Sequence, residues 1–245
     1  MIRLSNVTIK FGEFTAIHIN ELHVPKKCIF GFLGKNGAGK TTTIKTIIGM
    51  LQATTGDISV GDYNMKSNFF DVKKIIGYVA DKPNVYEYLT GVEFVRFMAN
   101  LYGIKDSSEL EDEIQSWLKR LDLQNKANEL ISGYSHGTKQ KIALIGALIH
   151  KPQLLILDEP TVGLDPQSTK ELKEIIIEFR NNGGTVFLST HILEIAEQIC
   201  DEYAIIDKGN ILATFTQEKL KTDFDNKSLE DIFLMITEKG VCYGY

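Results

Sequence analysis

The sequence predicts an α/β protein: a mostly parallel sheet flanked by helices, with an N-terminal antiparallel β subdomain and an inserted α-helical subdomain. Three observations carry this. Short apolar runs, Cys28–Leu33 and Leu154–Leu157, have the form of strands buried on both faces. From Leu154 onward strand patterns alternate with helical ones, which argues for parallel strands joined by helices. Between about 92 and 149 the apolar residues recur at helical spacing instead.

Taken in order, Ile2, Leu4, Val7 and Ile9 are apolar positions before a turn at Phe11-Gly12, and Phe14 to Val24 is a second extended stretch. The run Cys28–Leu33 leads directly into the loop Gly34–Thr41, and a helix is expected to follow it, to about Met50. Gly56, Gly61 and Asp62 punctuate a small strand pair. Phe94, Phe97, Met98 and Leu101, then Leu110, Ile114, Trp117, Leu118 and Leu121, read as core-packing stripes of a helical lobe spanning about 84–149. A helix is expected near Gln167–Arg180 and another from Ile192, with strands at Thr185–Ser189 and Tyr203–Ile206. The tail, 216–245, carries one amphipathic stretch around Leu229, Ile232, Phe233 and Ile236. The main domain is therefore expected over 1–215.

Composition narrows the function classes. Lys and Arg number 27 against 32 Asp and Glu, a net charge of −5, which argues against binding nucleic acid through clustered basic residues. Cys28, Cys200 and Cys242 make neither a metal-ligand spacing nor an even disulfide framework, so a reducing compartment is the economical expectation. The N-terminus lacks a basic-then-apolar signal pattern. The longest apolar run, Ile142–Ile149, is far below the roughly 20 residues that cross a bilayer. Any membrane span is expected to come from another chain.

Chemistry concentrates at two places. Gly34-Lys35-Asn36-Gly37-Ala38-Gly39-Lys40-Thr41 has the full phosphate-loop spacing between a strand and a helix. Glycines let backbone N–H groups wrap an anion at a helix N-terminus. Lys40 can reach terminal phosphates, the Thr41 hydroxyl can ligate Mg²⁺, and Thr42 follows in the same helical turn. The second place is Asp158-Glu159, at the end of a buried strand. There Asp158 would hold Mg²⁺ and Glu159 would orient or deprotonate an attacking water. Together they predict a phosphate-loop nucleoside triphosphatase core.

Three further segments resemble the ATP-binding-cassette proteins: Ser135-His136-Gly137-Thr138-Lys139-Gln140-Lys141 their signature, Pro160–Pro166 their D-loop, and Ser189-Thr190-His191 their switch histidine. The order fits from the first strand to about Phe215. The resemblance implies that two cassettes pack head to tail, each ATP lying between one phosphate loop and the opposite signature. Ser135 and Gly137, before a helix expected near Thr138, would then face the γ-phosphate. His191 would bond that phosphate beside Glu159, Asp165 would join the nucleotide site, and Phe11 would stack on adenine. The sequence departs from the family at His136 and Thr138, where Gly and Gln are usual. It departs again at Asp81, where the family has Gln or Glu to reach Mg²⁺ and the water.

The resemblance implies the ATPase subunit of a transporter, closest in pattern to exporter cassettes, with ATP and Mg²⁺ as cofactors. Its implied partners are a second cassette and a separate membrane-spanning subunit, which would dock in the groove around Asp81–Tyr88. Its implied place is the cytoplasmic side of the membrane. An importer cassette is the alternative within the class. A DNA-repair ATPase would need a long coiled coil between Lys40 and Ser135, and a ribosomal one a second cassette. A GTP switch would need an Asp where Asn125-Lys126-Ala127-Asn128 has Asn. His18, His23 and His150 suit no metal site, and Glu109, Glu111, Asp112 and Glu113 read as a solvated helix face.

Overall fold

The computed structural model describes residues 1–223 and 227–239. The chain opens with a hairpin of β1 (Ile2–Phe11) and β2 (Phe14–Val24). After β3 (Ile29–Leu33) comes α1 (Lys40–Ile47), then β4 (Thr55–Val60) and β5 (Tyr63–Asn64), which complete an antiparallel sheet in the order β2-β1-β4-β5. Next come α2 (Phe69–Lys74), β6 (Ile76–Val79) and the helices α3 (Gly91–Leu101), α4 (Ser108–Arg120) and α5 (His136–Leu148). The last part alternates β7 (Leu154–Asp158), α6 (Pro166–Asn181), β8 (Thr185–Thr190), α7 (Leu193–Ile199), β9 (Glu202–Asp207) and β10 (Asn210–Thr216). It ends with α8 (Gln217–Asp223) and α9 (Leu229–Lys239).

The main sheet has the order β10-β9-β3-β8-β7-β6 and is parallel except for β10, which pairs antiparallel with β9. The expected mixture of a mostly parallel sheet, an antiparallel N-terminal sheet and a helical lobe is what forms. Side chains alternate between two cores. Ile29 and Leu33 of β3, Leu155 and Leu157 of β7, and Val186 and Leu188 of β8 face one side. Phe30 and Phe32, Leu154 and Ile156, and Phe187 face the other, where Phe30 stacks on Phe187 at 5.8 Å between ring centres. Burial on both faces is why these strands read as unbroken apolar runs.

The second of those cores lies under α1 and the antiparallel sheet, while the first extends into the helical lobe. Thr90 and Glu93 form a reciprocal capping box at the start of α3, and Ser107 caps α4. The α4 stripe of Leu110, Ile114 and Leu118 is buried as its spacing predicts. In α3 the buried residues are Gly91, Val92, Phe94, Val95 and Ala99, whereas Leu101 is exposed at the helix end. The tail is no loose appendage: Leu229, Ile232, Phe233 and Ile236 of α9 are buried in the same core, against α7 and β10. Residues 240–245, with Cys242, lie outside the described residues. Cys28 and Cys200 are buried free thiols.

Register brings four strand ends to one line. Leu33 pairs with Thr190, Asp158 with Ser189, and Leu157 with Val79. The segments that leave these ends, Gly34, His191, Glu159 and Asp81, therefore emerge along the carboxyl edge of the parallel sheet, the usual ligand edge of such folds. Among the described residues no helix is long and apolar enough to cross a membrane.

Candidate active site

The glycines of the phosphate loop answer local demands of space and backbone conformation. A Cβ at Gly34 would stand 2.5 Å from the Ile206 carbonyl of β9, and Gly39, the residue before α1, has φ +111°. The loop is braced from both sides: the Gly209 N–H donates to the Ala38 carbonyl at 2.9 Å, and the His18 N–H to the Gly209 carbonyl at 2.8 Å. Lys35, Asn36 and Gly37 are exposed, Ala38 is buried, and Thr41 lies exposed on the first turn of α1 with Thr42 half-buried. The helix stops at Ile47, short of the expected Met50. Gly49 takes a left-handed conformation, its N–H bonding Thr46 O and that of Met50 bonding Lys45 O, which closes the last turn.

Lys40 is buried and donates to the carbonyls of Gly34 at 2.6 Å and Lys35 at 3.3 Å. Its Nζ also lies 3.0 Å from Oε1 of Glu159, an ion pair with both side chains about nine-tenths buried. The other oxygen of Glu159, Oε2, is 2.9 Å from His191 Nδ1 and accepts the His191 backbone N–H at 3.2 Å. Lys40, Glu159 and His191 are thus one continuous polar series. Glu159 sits at φ +49°, a left-handed conformation that costs a non-glycine residue about 1 kcal/mol or more. Its N–H donates to the Ser189 carbonyl at 3.0 Å, which holds that conformation.

Asp158 is buried beside this series. Burial is the main reason its carboxyl titrates above the ordinary value; the Ser189 hydroxyl, bonded to Oδ1, and the nearby Thr41 hydroxyl oppose the rise, and Glu159 and Asp81 add to it. Its Oδ2 is buried without a hydrogen-bond partner. Asp81, half-buried just after β6, is thereby within electrostatic reach of Asp158 despite its short side chain.

The remaining expected residues sit apart from this series within the chain. Ser135 is the cap of α5, its Oγ accepting from the Thr138 N–H at 3.3 Å, so the helix begins at His136 and not near Thr138. Gly137 lies in the first turn. Ser135 and His136 are exposed, and the His136 ring rests on Gly163 of the D-loop, where a Cβ would come within 3.1 Å of it. Asp165 caps α6, accepting the Ser168 N–H at 2.9 Å and its hydroxyl at 2.7 Å; those bonds hold its carboxyl below the usual range. Among the described residues, no hydrogen bond or ion pair ties Asp165 to the phosphate loop. Phe11 is 53% exposed at the end of β1, so it is not a core residue.

Ser189 is the site residue that the sequence did not single out for a role. Its hydroxyl donates to Asp158 Oδ1 and its carbonyl accepts the Glu159 N–H, so one residue orients the Asp158 carboxylate and fixes the Glu159 backbone. Its place in the segment before His191 is the available signal. The role depends on β8 lying between β3 and β7, which no local pattern reveals.

The chain resembles known proteins in sequence and fold. A family model described as ABC transporter matches residues 17–162. The uncharacterized ABC transporter ATP-binding protein YhaQ of Bacillus subtilis (strain 168) is 32% identical over 98% of this chain and 81% of that protein. A fluoroquinolones export ATP-binding protein of Mycobacterium tuberculosis (strain ATCC 25618 / H37Rv) is 36% identical over 90% of this chain and 72% of its own. A solved structure of an ATP-binding subunit of an ABC transporter superposes with a TM-score of 0.90 at 30% identity, covering 97% of this chain and all of that one.

Proposed function

The chain belongs to the ABC transporter family as an ATP-binding and ATP-hydrolysing subunit, and from that premise we propose an exporter cassette that closes on a second cassette around MgATP and drives a separate membrane-spanning subunit. The observation that carries the reading is the series Lys40–Glu159–His191, joined at 3.0 and 2.9 Å on the carboxyl edge of the sheet.

Each residue has a task in hydrolysis. Terminal phosphates draw Lys40 away from Glu159, exchanging one anionic partner for another. The freed carboxylate accepts a proton from water as its oxygen attacks the γ-phosphorus, and the bond to the bridging oxygen breaks to release ADP. His191, held by Glu159 and 43% exposed, is placed at the mouth of the site to bond the γ-phosphate. Phe11 meets the adenine ring.

The acidic side of the site fits Mg²⁺. Asp158 has a buried oxygen with no hydrogen-bond partner, and Asp81 is within electrostatic reach of it. Asp158, the Thr41 hydroxyl and Asp81 would hold the ion. When bound, it neutralises charge on the β- and γ-phosphate oxygens.

Ser135 and Gly137 open a 13-residue helix whose first turn faces outward, which suits capture of a partner cassette's γ-phosphate; Asp165 joins that interface. The membrane subunit docks near Asp81–Tyr88, where Tyr88 is 92% exposed and Glu87 pairs with Lys139 of α5. Similarity to a fluoroquinolones export protein favours export. The cassette then works at the cytoplasmic face of the membrane. To test this, the tagged chain is purified from gently solubilised membranes of its own cell. A multi-span membrane protein in stoichiometric amount supports the transporter reading, and a pool bound to ribosomes or DNA-processing proteins contradicts it.

A further inference from the structure

We propose that Phe14 is a second nucleobase-binding ring, paired with Phe11 at the tip of the β1–β2 hairpin, an assignment that rests on the ATP reading of the phosphate loop. Phe11 and Phe14 are direct partners across the two-residue turn. Direct partners in an antiparallel pair project to the same face with their Cβ atoms about 5 Å apart. That face is the inner one. Ile9 precedes Phe11 by two residues on β1 and is buried with its neighbour Ile17 in the core that also contains Ala38 and Ile44. The irregularity in the pairing adds its extra residue, Ala16, to β2, so the alternation along β1 is kept.

The hairpin is also fixed against the phosphate loop. The Ala16 carbonyl would be 3.5 Å from a Cβ on Gly39, and the Gly209 backbone bonds both His18 and Ala38. The inner face of the hairpin therefore runs past the phosphate loop and ends in two largely exposed rings. Phe11 is 53% exposed and Phe14 68%.

A single exposed aromatic needs no explanation, but two on one face beside an anion site match the requirement of a triphosphate bearing a flat apolar base. The polyphosphate is held by backbone N–H groups and Lys40, and the base lies over the rings. Stacking accepts any base with a π-face, so this contact contributes affinity and not a strict choice between adenine and guanine.

The test uses the full chain and calorimetric titration with a non-hydrolysable ATP analogue and, separately, with inorganic tripolyphosphate. For Phe14→Ala the expected result is an ATP-analogue affinity lower by about tenfold. Tripolyphosphate affinity stays at the wild-type level, and Phe14→Trp restores analogue binding. An unchanged analogue affinity would overturn the proposal. So would an equal loss for both ligands, which would make Phe14 a support of the loop and not a contact to the base. Wild-type chain that binds tripolyphosphate but no analogue would instead refute the ATP reading, and the proposal with it.

Discussion

Lys40 and Glu159 neutralise each other 3.0 Å apart in a buried ion pair, so the residue that must hold phosphate and the residue that must activate water begin in contact. A buried pair of this kind is maintained by its mutual attraction and by the carbonyls that share Lys40, and an incoming polyphosphate competes for the same ammonium group. Binding and activation are therefore coupled: nucleotide frees the carboxylate by taking its partner. In Glu159→Gln the competitor for Lys40 is neutral and the proton acceptor is gone. The expected outcome is a turnover lower by about 10²- to 10⁴-fold with no rise in KM for ATP, read from steady-state phosphate release. Wild-type turnover would show that another group activates the water.

Lys40→Ala should act on the phosphates themselves. Loss of a charge-assisted contact predicts about 10- to 100-fold weaker binding of both the ATP analogue and tripolyphosphate. Parallel loss for the two ligands separates this residue from the hairpin rings. Unchanged tripolyphosphate binding would remove Lys40 from the phosphate site.

Ser189→Ala should move a pH limb. Burial holds the Asp158 carboxyl above its ordinary 3.8, so its contribution to stability is full below 3.8 and is lost as pH rises through the folded value. Cation binding needs the ionised form, so Mg²⁺-dependent hydrolysis rises with pH over that same range. Removing the Ser189 hydroxyl removes a bond that favours the carboxylate, and the acid limb of the pH–rate profile shifts to higher pH. A limb that stays in place would mean that Asp158 does not govern it.

Ile232→Ala tests the tail. Ile232 is fully buried in the core shared with the parallel sheet, so truncation should cost about 2–5 kcal/mol in urea unfolding. A change below about 0.5 kcal/mol would mark α9 as a loosely attached element.

Much of this site was legible because its signals are local. The phosphate loop joins a strand and a helix within one short segment, and Asp158-Glu159 ends a strand whose apolar run is itself visible. The stripe Leu110, Ile114, Leu118 likewise announces its helix. What stayed hidden depends on pairing across the sheet or on backbone conformation. Ser189 meets Asp158 only because β8 is inserted between β3 and β7. The early start of α5 depends on Ser135 capping Thr138, while Gly137 reads as a break. The short α2 and the edge strand β10 were not anticipated: six residues give α2 too little length for a periodic pattern, and β10 mixes buried and half-exposed positions without clean alternation.

The central claim is that ATP drives two such cassettes together, and the most direct measurement is the solution mass of Glu159→Gln by light scattering, with and without MgATP. The account predicts the mass of one chain without nucleotide and of two with saturating MgATP, reversed when Mg²⁺ is chelated. A mass that stays at one chain under saturating MgATP, in a sample shown to bind the nucleotide, would contradict it.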